Sequence, residues 1–203
     1  MDSATGDLGE LGTDPIAAFG VWLDDAIAAG LPEPTAMALA TVADRGSQPM
    51  GRFVLLKGFD ERGFCWFTNY ESAKGEQLEE TPRACLVFPW FPIYRQVVIA
   101  GDVTRVDAAE SDEYFASRDR ESQIGAWASP QSQVVPDRAW LEARVAQLEA
   151  EYAGREVPRP PDWGGYRLTP HTIDFWHSRI GRLHDRIRYR RTPDGWDSVR
   201  LAP

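Results

Sequence analysis

The chain has 203 residues and a formal net charge of -9, which excludes a general nucleic-acid binder acting through bulk positive charge. Its apolar content of 43% is that of a globular protein, and no apolar run approaches the ~18 residues of a membrane span. The opening "MDSATGDLGELGTD" has neither the basic region nor the apolar region of a signal peptide, so a cytoplasmic protein is expected. Residues 1–13 read as a flexible N-terminal arm and 14–203 as a single domain. In "TDPIAAFGVWLDDAIAAGLP" Asp14 caps a helix and Pro15 takes its first position. Ile16, Phe19, Leu23 and Ile27 fall on one face of it. Strands are predicted over 36–42, 51–59 and 64–69, the last two as a hairpin. A short helix follows over 72–80 with Ser72 as its cap, then strands over 83–90 and 95–106. Residues 108–118 read as helix, 122–129 are ambiguous, and 136–154 form the clearest helix, capped by Asp137 and ended by Gly154. Leu141, Val145, Leu148 and Tyr152 line its apolar face. After the Pro-rich "EVPRPPDWGG" come short strands: "YRLTP", "TIDFWH", "LHDRIRYRR" and "WDSVRLAP".

This order predicts a mostly β protein, an antiparallel sheet with flanking helices, closed into a barrel to hide its edges. No β-α-β alternation with a Gly-rich turn is present, which argues against a dinucleotide-binding α/β domain. Cys65 and Cys85 each sit inside an apolar run and read as buried thiols.

Charge is unevenly placed. Only Lys57 and Lys74 are lysine among 22 basic residues. Five arginines and a histidine crowd into "RLHDRIRYRR", residues 182–191. Read as a strand, this run puts Arg182, His184, Arg186, Arg188 and Arg190 on one face and Leu183, Asp185, Ile187 and Tyr189 on the other. The face is either solvated or turned to an anionic, flat ligand, because arginine binds phosphate in a fork and stacks on rings. The three histidines lack carboxylate or thiol neighbours at ligand spacing, so no metal site is expected. "WGGYRL" reads as a tight turn beside a core tryptophan.

Ten ordered blocks, among them "GRFVLLKGFD", "FTNYESAKG", "LVFPW", "RQVVIAGDV", "EVPRPPDWGGYRLTP", "RLHDR" and the terminal "RLAP", resemble the pyridoxamine 5'-phosphate oxidase family from about residue 33 to 203. The resemblance implies an FMN-binding split β-barrel that forms a homodimer with FMN at the subunit interface. It implies hydride transfer from C4' of pyridoxine or pyridoxamine 5'-phosphate to flavin N5. O2 then reoxidises the flavin, giving H2O2 and pyridoxal 5'-phosphate.

By the same resemblance Arg52, Phe53, Val54, Leu55, Phe67, Thr68, Lys74, Gln96, Gln131, Ser132, Trp176 and Arg186 contact FMN. Lys57, Tyr114, Arg118 and Ser122 hold the substrate phosphate, and Arg182, Leu183 and His184 hold its reacting end, with Arg182 and His184 as the catalytic pair. Taken alone, "FVLL" is also a core strand, and Tyr114 and Arg118 are also an ordinary helix surface. Three positions depart from the family pattern: Ala73 stands where an arginine is usual, the arm lacks the usual Arg and Tyr, and "WHSRIG" replaces the commoner "WQG" type. Two other readings stay open: an oxidase of the same fold acting on a phenazine precursor, and a flavin or pyridoxal phosphate binder without turnover.

Overall fold

The computed structural model describes residues 11–43 and 47–203. The first ten residues of the expected arm lie outside the described residues; of the rest, Leu11 packs against the core and the Gly12 carbonyl accepts the Tyr189 hydroxyl at 2.7 Å. Helix α1 spans Pro15–Ala28, and the Asp14 carboxylate accepts the N–H groups of Ile16 (2.9 Å) and Ala17 (3.3 Å). Its buried stripe is Ala18, Phe19, Trp22, Leu23 and Ala26. Ile27, expected on that stripe, is exposed, because Trp22 and Ala26 pull the face away from it.

Nine strands follow: β1 (Ala36–Ala43), β2 (Gln48–Leu55), β3 (Gly58–Asp60), β4 (Gly63–Asn69), β5 (Arg83–Trp90), β6 (Arg95–Arg105), β7 (Trp163–His177), β8 (Asp185–Thr192) and β9 (Gly195–Arg200). The helices are α2 (Ala73–Glu80), α3 (Ala108–Ser117), α4 (Arg120–Ala128) and α5 (Arg138–Glu151). The ambiguous segment is therefore helix, started by Asp119, whose carboxylate accepts the Ser122 N–H. All ladders are antiparallel.

The sheet runs β2-β1-β5-β6-β7-β4-β3, with β8 and β9 branching from β7. Its two end strands are joined by only Leu56 and Lys57, a link that reaches about 10 Å at most. The ends must therefore meet, and the sheet curls into a barrel. Backbone bonds fix the joint: the Leu56 N–H donates to Thr35 and the Lys57 N–H to Cys65, both at 2.9 Å. The predicted strand over 51–59 is thus two strands, one on each edge of the closing sheet.

"YRLTP" and "TIDFWH" are one 15-residue strand, not two. Its first half pairs with β4, its second half with β8, and β6 runs along both. A register shift at Ala100/Gly101 leaves His171 opposite no partner, and Pro170 is tolerated at that bulge. This fork in β7 is where the barrel splits.

Phe19 stands at the centre of the main core, edge-on to Phe59 (5.0 Å), Phe64 (4.9 Å) and Phe88 (4.9 Å). A second, smaller core of Phe115, Ile124, Ala128, Leu148, Val157 and Trp163 joins α3, α4 and α5 to β7. Both cysteines are free; burial pushes the Cys65 thiol up to about 12, so it is no nucleophile at neutral pH.

Candidate active site

The site begins at the barrel joint. β2 and Lys57, β4, the start of α2, and the α3–α4 corner enclose a cavity of about 700 Å³. Eleven of the residues expected to bind ligand line it: Phe53, Val54, Leu55, Lys57, Phe67, Thr68, Lys74, Tyr114, Arg118, Ser122 and Gln131. Residues as distant in the chain as Phe53, Gln131 and Trp163 meet here, helped by the pairing of β4 with β7. The expectation that "FVLL" is mostly core is corrected: Phe53 and Leu55 are exposed toward the cavity, and Leu56 carries the core contact.

Two sets of cations face the cavity. The first is built on Lys74. Ser72 caps α2 and its hydroxyl accepts from Lys74 Nζ at 3.0 Å; Thr68 Oγ1 (3.0 Å) and Gln131 Oε1 (2.8 Å) complete its partners. All three are neutral oxygens around a buried ammonium. Burial first, and then the charge of Arg52, pull its pKa down to about 8. Arg52 stands beside the cavity, donating to the Thr41 hydroxyl, to Gln77 Oε1 (2.9 Å) and to the Leu39 carbonyl (3.2 Å).

The second set is Lys57, Tyr114, Arg118 and Ser122. The Arg118 guanidinium lies over Trp163 (4.8 Å to the ring centre) and Phe115 (5.5 Å). Its Nη1 is buried and makes no hydrogen bond among the described residues. Burial lowers its pKa. The Tyr114 ring stacks on Phe67 at 4.0 Å. Ser122 is less free, since its hydroxyl donates to Asp119 at 2.8 Å.

The remaining expected residues do not line this cavity. Gln96, Trp176 and Arg186 stand side by side in register across β6, β7 and β8. The His184 ring packs on Trp176 at 4.7 Å. The strand alternation expected for 182–191 holds only from Asp185 onward, where Ile187 and Tyr189 are buried and Arg186, Arg188 and Arg190 are not. Arg182 and Leu183 belong to a turn after Ile180, with Arg182 at φ 64, so neither they nor His184 share the strand's face. Glycine at 181 (φ 76) and the turn hydrogen bonds override the strand pattern there. Ser132 follows Gln131 at φ 71 and is exposed.

Arg179 and Arg188 are committed to carboxylates: Arg179 to Asp185 (2.6 Å) and Arg188 to Asp174 (2.6 Å). Asp174 also holds Arg186 at 2.7 Å. Burial alone would raise the Asp174 carboxyl, but hydrogen bonds and charge from Arg188 and Arg186 hold it below the usual range. Sequence reasoning missed Asp174, Gln77 and Trp163. Each acts through another side chain, a role that no spacing advertises.

The arrangement tests well against the ligands the sequence implies. Two cation sets, the first with only neutral oxygens as partners and the second with a carboxylate bonded only to Ser122, fit two dianions, and the apolar wall of Phe53, Val54, Leu55 and Phe67 fits flat rings.

A family profile described as Pyridoxamine 5'-phosphate oxidase matches residues 23–152, and one described as Pyridoxine 5'-phosphate oxidase C-terminal dimerisation region matches residues 163–203. The pyridoxine/pyridoxamine 5'-phosphate oxidase of Synechocystis sp. is 54% identical over 96% of this chain and 90% of its own. That of Acidothermus cellulolyticus is 55% identical over 96% of this chain and 88% of its own. Among solved structures, PhzG from Burkholderia lata 383, in complex with tetrahydrophenazine-1-carboxylic acid, superposes with a TM-score of 0.92 at 33% identity over the whole of both chains. With the two profiles matched in order over residues 23–152 and 163–203, the chain belongs to the pyridoxamine 5'-phosphate oxidase family.

Proposed function

We propose that this chain is an FMN-dependent oxidase that converts pyridoxine or pyridoxamine 5'-phosphate and O2 to pyridoxal 5'-phosphate and H2O2. The observation that carries this reading is the pair of cation sets, one on Lys74 and one on Arg118, that face one cavity beside an apolar wall with no carboxylate hydrogen-bonded to either cation among the described residues. Lys74, Thr68 and Gln131 hold the FMN phosphate, with Arg52 adding charge behind them. Phe53, Val54 and Leu55 lie along the flavin ring. Lys57, Tyr114, Arg118 and Ser122 hold the substrate phosphate; the Ser122 hydroxyl turns from Asp119 to do so.

The chain works as a homodimer, and each active site takes its second half from the region of β7 and β8. Gln96, Ser132, Trp176 and Arg186 complete the flavin contacts, and Arg182, Leu183 and His184 meet the reacting end of the substrate. His184 Nδ1 accepts the Arg179 N–H at 3.0 Å, so the neutral ring carries its proton on Nε2. That nitrogen donates to the substrate and cannot serve as a base. The histidine therefore orients and polarises, and Arg182 adds positive charge beside it. FMN, when bound, would supply the redox chemistry between the substrate and O2.

A second reading has one observation in its favour: the close superposition on PhzG. It makes the chain a phenazine-type oxidase. The phosphate-binding set of Lys57, Tyr114, Arg118 and Ser122 weighs against it, because a phenazine acid brings no phosphate.

No helix among the described residues is long and apolar enough to cross a membrane, and the two free cysteines suit a reducing, cytoplasmic setting. The test is to add pyridoxine 5'-phosphate to the flavin-loaded dimer and to follow H2O2 and pyridoxal 5'-phosphate together. Their release in equal amounts is expected. Flavin binding without H2O2 would leave a non-catalytic binder, and turnover of a dihydrophenazine acid alone would favour the second reading.

A further inference from the structure

We infer that Trp163 is a positioning residue: its ring is the seat that holds the Arg118 guanidinium in place for the substrate phosphate, and the two glycines after it build that seat. This rests on the assignment of Arg118 to the substrate phosphate.

Half-buried Arg118 differs from the arginines nearby that carboxylates hold. Arg167 and Arg159 are fixed by carboxylates, at 2.7 Å from Glu110 and 2.6 Å from Asp112. Arg118 is fixed by ring faces, 4.8 Å above Trp163 and 5.5 Å above Phe115, and no hydrogen bond holds it among the described residues. A carboxylate partner would neutralise the charge and occupy the donors. A ring face attracts the cation while leaving every N–H free for an incoming dianion. The side chain is thus desolvated, oriented and still hungry for an anion.

Trp163 is itself tied down. It is buried, its carbonyl accepts Arg159 Nη1 at 2.5 Å, and its N–H donates to Pro160 at 3.1 Å. Its ring lies parallel to Tyr114, at 5° and 6.2 Å, and to Phe67, at 15° and 5.6 Å. One plate therefore aligns both Tyr114 and Arg118. The glycines admit this packing. A Cβ on Gly165 would stand 2.6 Å from Val106 Cγ2 and 2.8 Å from Phe67 Cε1, and one on Gly164 would collide with the Tyr70 hydroxyl. "WGG" is a fitted platform under the phosphate clamp rather than a turn.

The experiment compares Trp163→Leu, Trp163→Phe, Arg118→Ala and the Trp163→Leu/Arg118→Ala double variant as flavin-loaded dimers. KM and kcat for pyridoxine 5'-phosphate and the FMN dissociation constant are measured for each. Trp163→Leu should raise KM about three- to thirtyfold with kcat little changed, the range set by a partly desolvated cation–ring contact. Trp163→Phe, which keeps a weaker ring face, should restore most of the loss. In the Arg118→Ala background the leucine change should add less than about twofold, because the seat then has nothing to hold. Equal KM effects of Trp163→Leu with and without Arg118 would overturn the inference, as would a Trp163→Phe variant no better than leucine. If the leucine variant fails to load FMN, a phenylalanine variant whose small KM rise persists without Arg118 overturns it equally. An Arg118→Ala variant with unchanged KM would instead sink the phosphate assignment beneath it.

Discussion

The buried ammonium of Lys74 makes FMN affinity a function of pH. In the apoprotein its pKa is near 8, against an ordinary 10.5. At pH 7 about nine-tenths of the chains carry the proton, and at pH 9 about one-tenth do. The phosphate of FMN is a dianion across this range, and a hydrogen bond to a charged group is worth about 1.5–3 kcal/mol net. By linkage that raises the Lys74 pKa in the complex by about 1–2 units, so FMN binding takes up a proton above pH 8. The apparent FMN affinity should then fall about five- to tenfold between pH 7 and pH 9. Lys74→Met should weaken binding about tenfold to a hundredfold at pH 7 and flatten the pH profile. The assay is fluorescence titration of the apoprotein with FMN at several pH values and fixed ionic strength. A parent profile that is flat, or a Lys74→Met profile as steep as the parent's, would refute the assignment of this lysine to the phosphate. The stability of the apoprotein should move oppositely. The unfolded chain keeps the proton up to 10.5 while the folded one releases it near 8, so apoprotein stability should rise with pH between those values.

Ala73→Arg should tighten FMN binding about tenfold at low salt and less at high salt, checked by the same titration, because Ala73 is exposed at the first position of α2 beside Lys74 and Arg179 and Arg188 are committed elsewhere. Arg118→Ala should chiefly raise KM and Arg182→Ala chiefly lower kcat; steady-state kinetics showing the same pattern for both would contradict that division. Asp174→Asn should lower the melting temperature, costing about 1–3 kcal/mol, less than a fully buried pair because Arg186 and Arg188 are 35% and 31% exposed. Because the folded Asp174 carboxyl sits below its ordinary range, the parent should lose this stability as pH falls below about 4, while the variant should show no such loss from this site.

Much of the fold was legible because its local signals agree. Asp14, Ser72 and Asp137 each cap the helix predicted for them, and their carboxylates and hydroxyl accept the N–H groups those positions leave free. What failed had competing physics. Residues 51–59 carry one continuous apolar pattern, yet the barrel must turn at Leu56–Lys57 to close. Pro170 reads as a break, yet a bulge at the adjacent His171 of the same strand absorbs it. In "RLHDRIRYRR" the alternation is real from Asp185, but Gly181 and the bond from the Arg179 N–H to His184 turn the first residues out of the strand.

The site was legible in its chemistry and illegible in its assembly. Lys57, Lys74 and Arg118 stand out by type as candidates for a phosphate, but that no carboxylate is hydrogen-bonded to Lys74 or Arg118 among the described residues is invisible in their spacing. That property belongs to three-dimensional neighbours. The contrast with the second half of the site shows the difference. Arg186 and Arg188 share the buried Asp174, and their charge is already partly answered within the fold. Arginines answered in this way set the shape and position of a binding surface, whereas Lys74 and Arg118 keep their charge for the ligand. The acidic net charge of -9 serves the same end, since a chain that repels anions in bulk concentrates its attraction where burial and ring faces leave a few cations uncompensated.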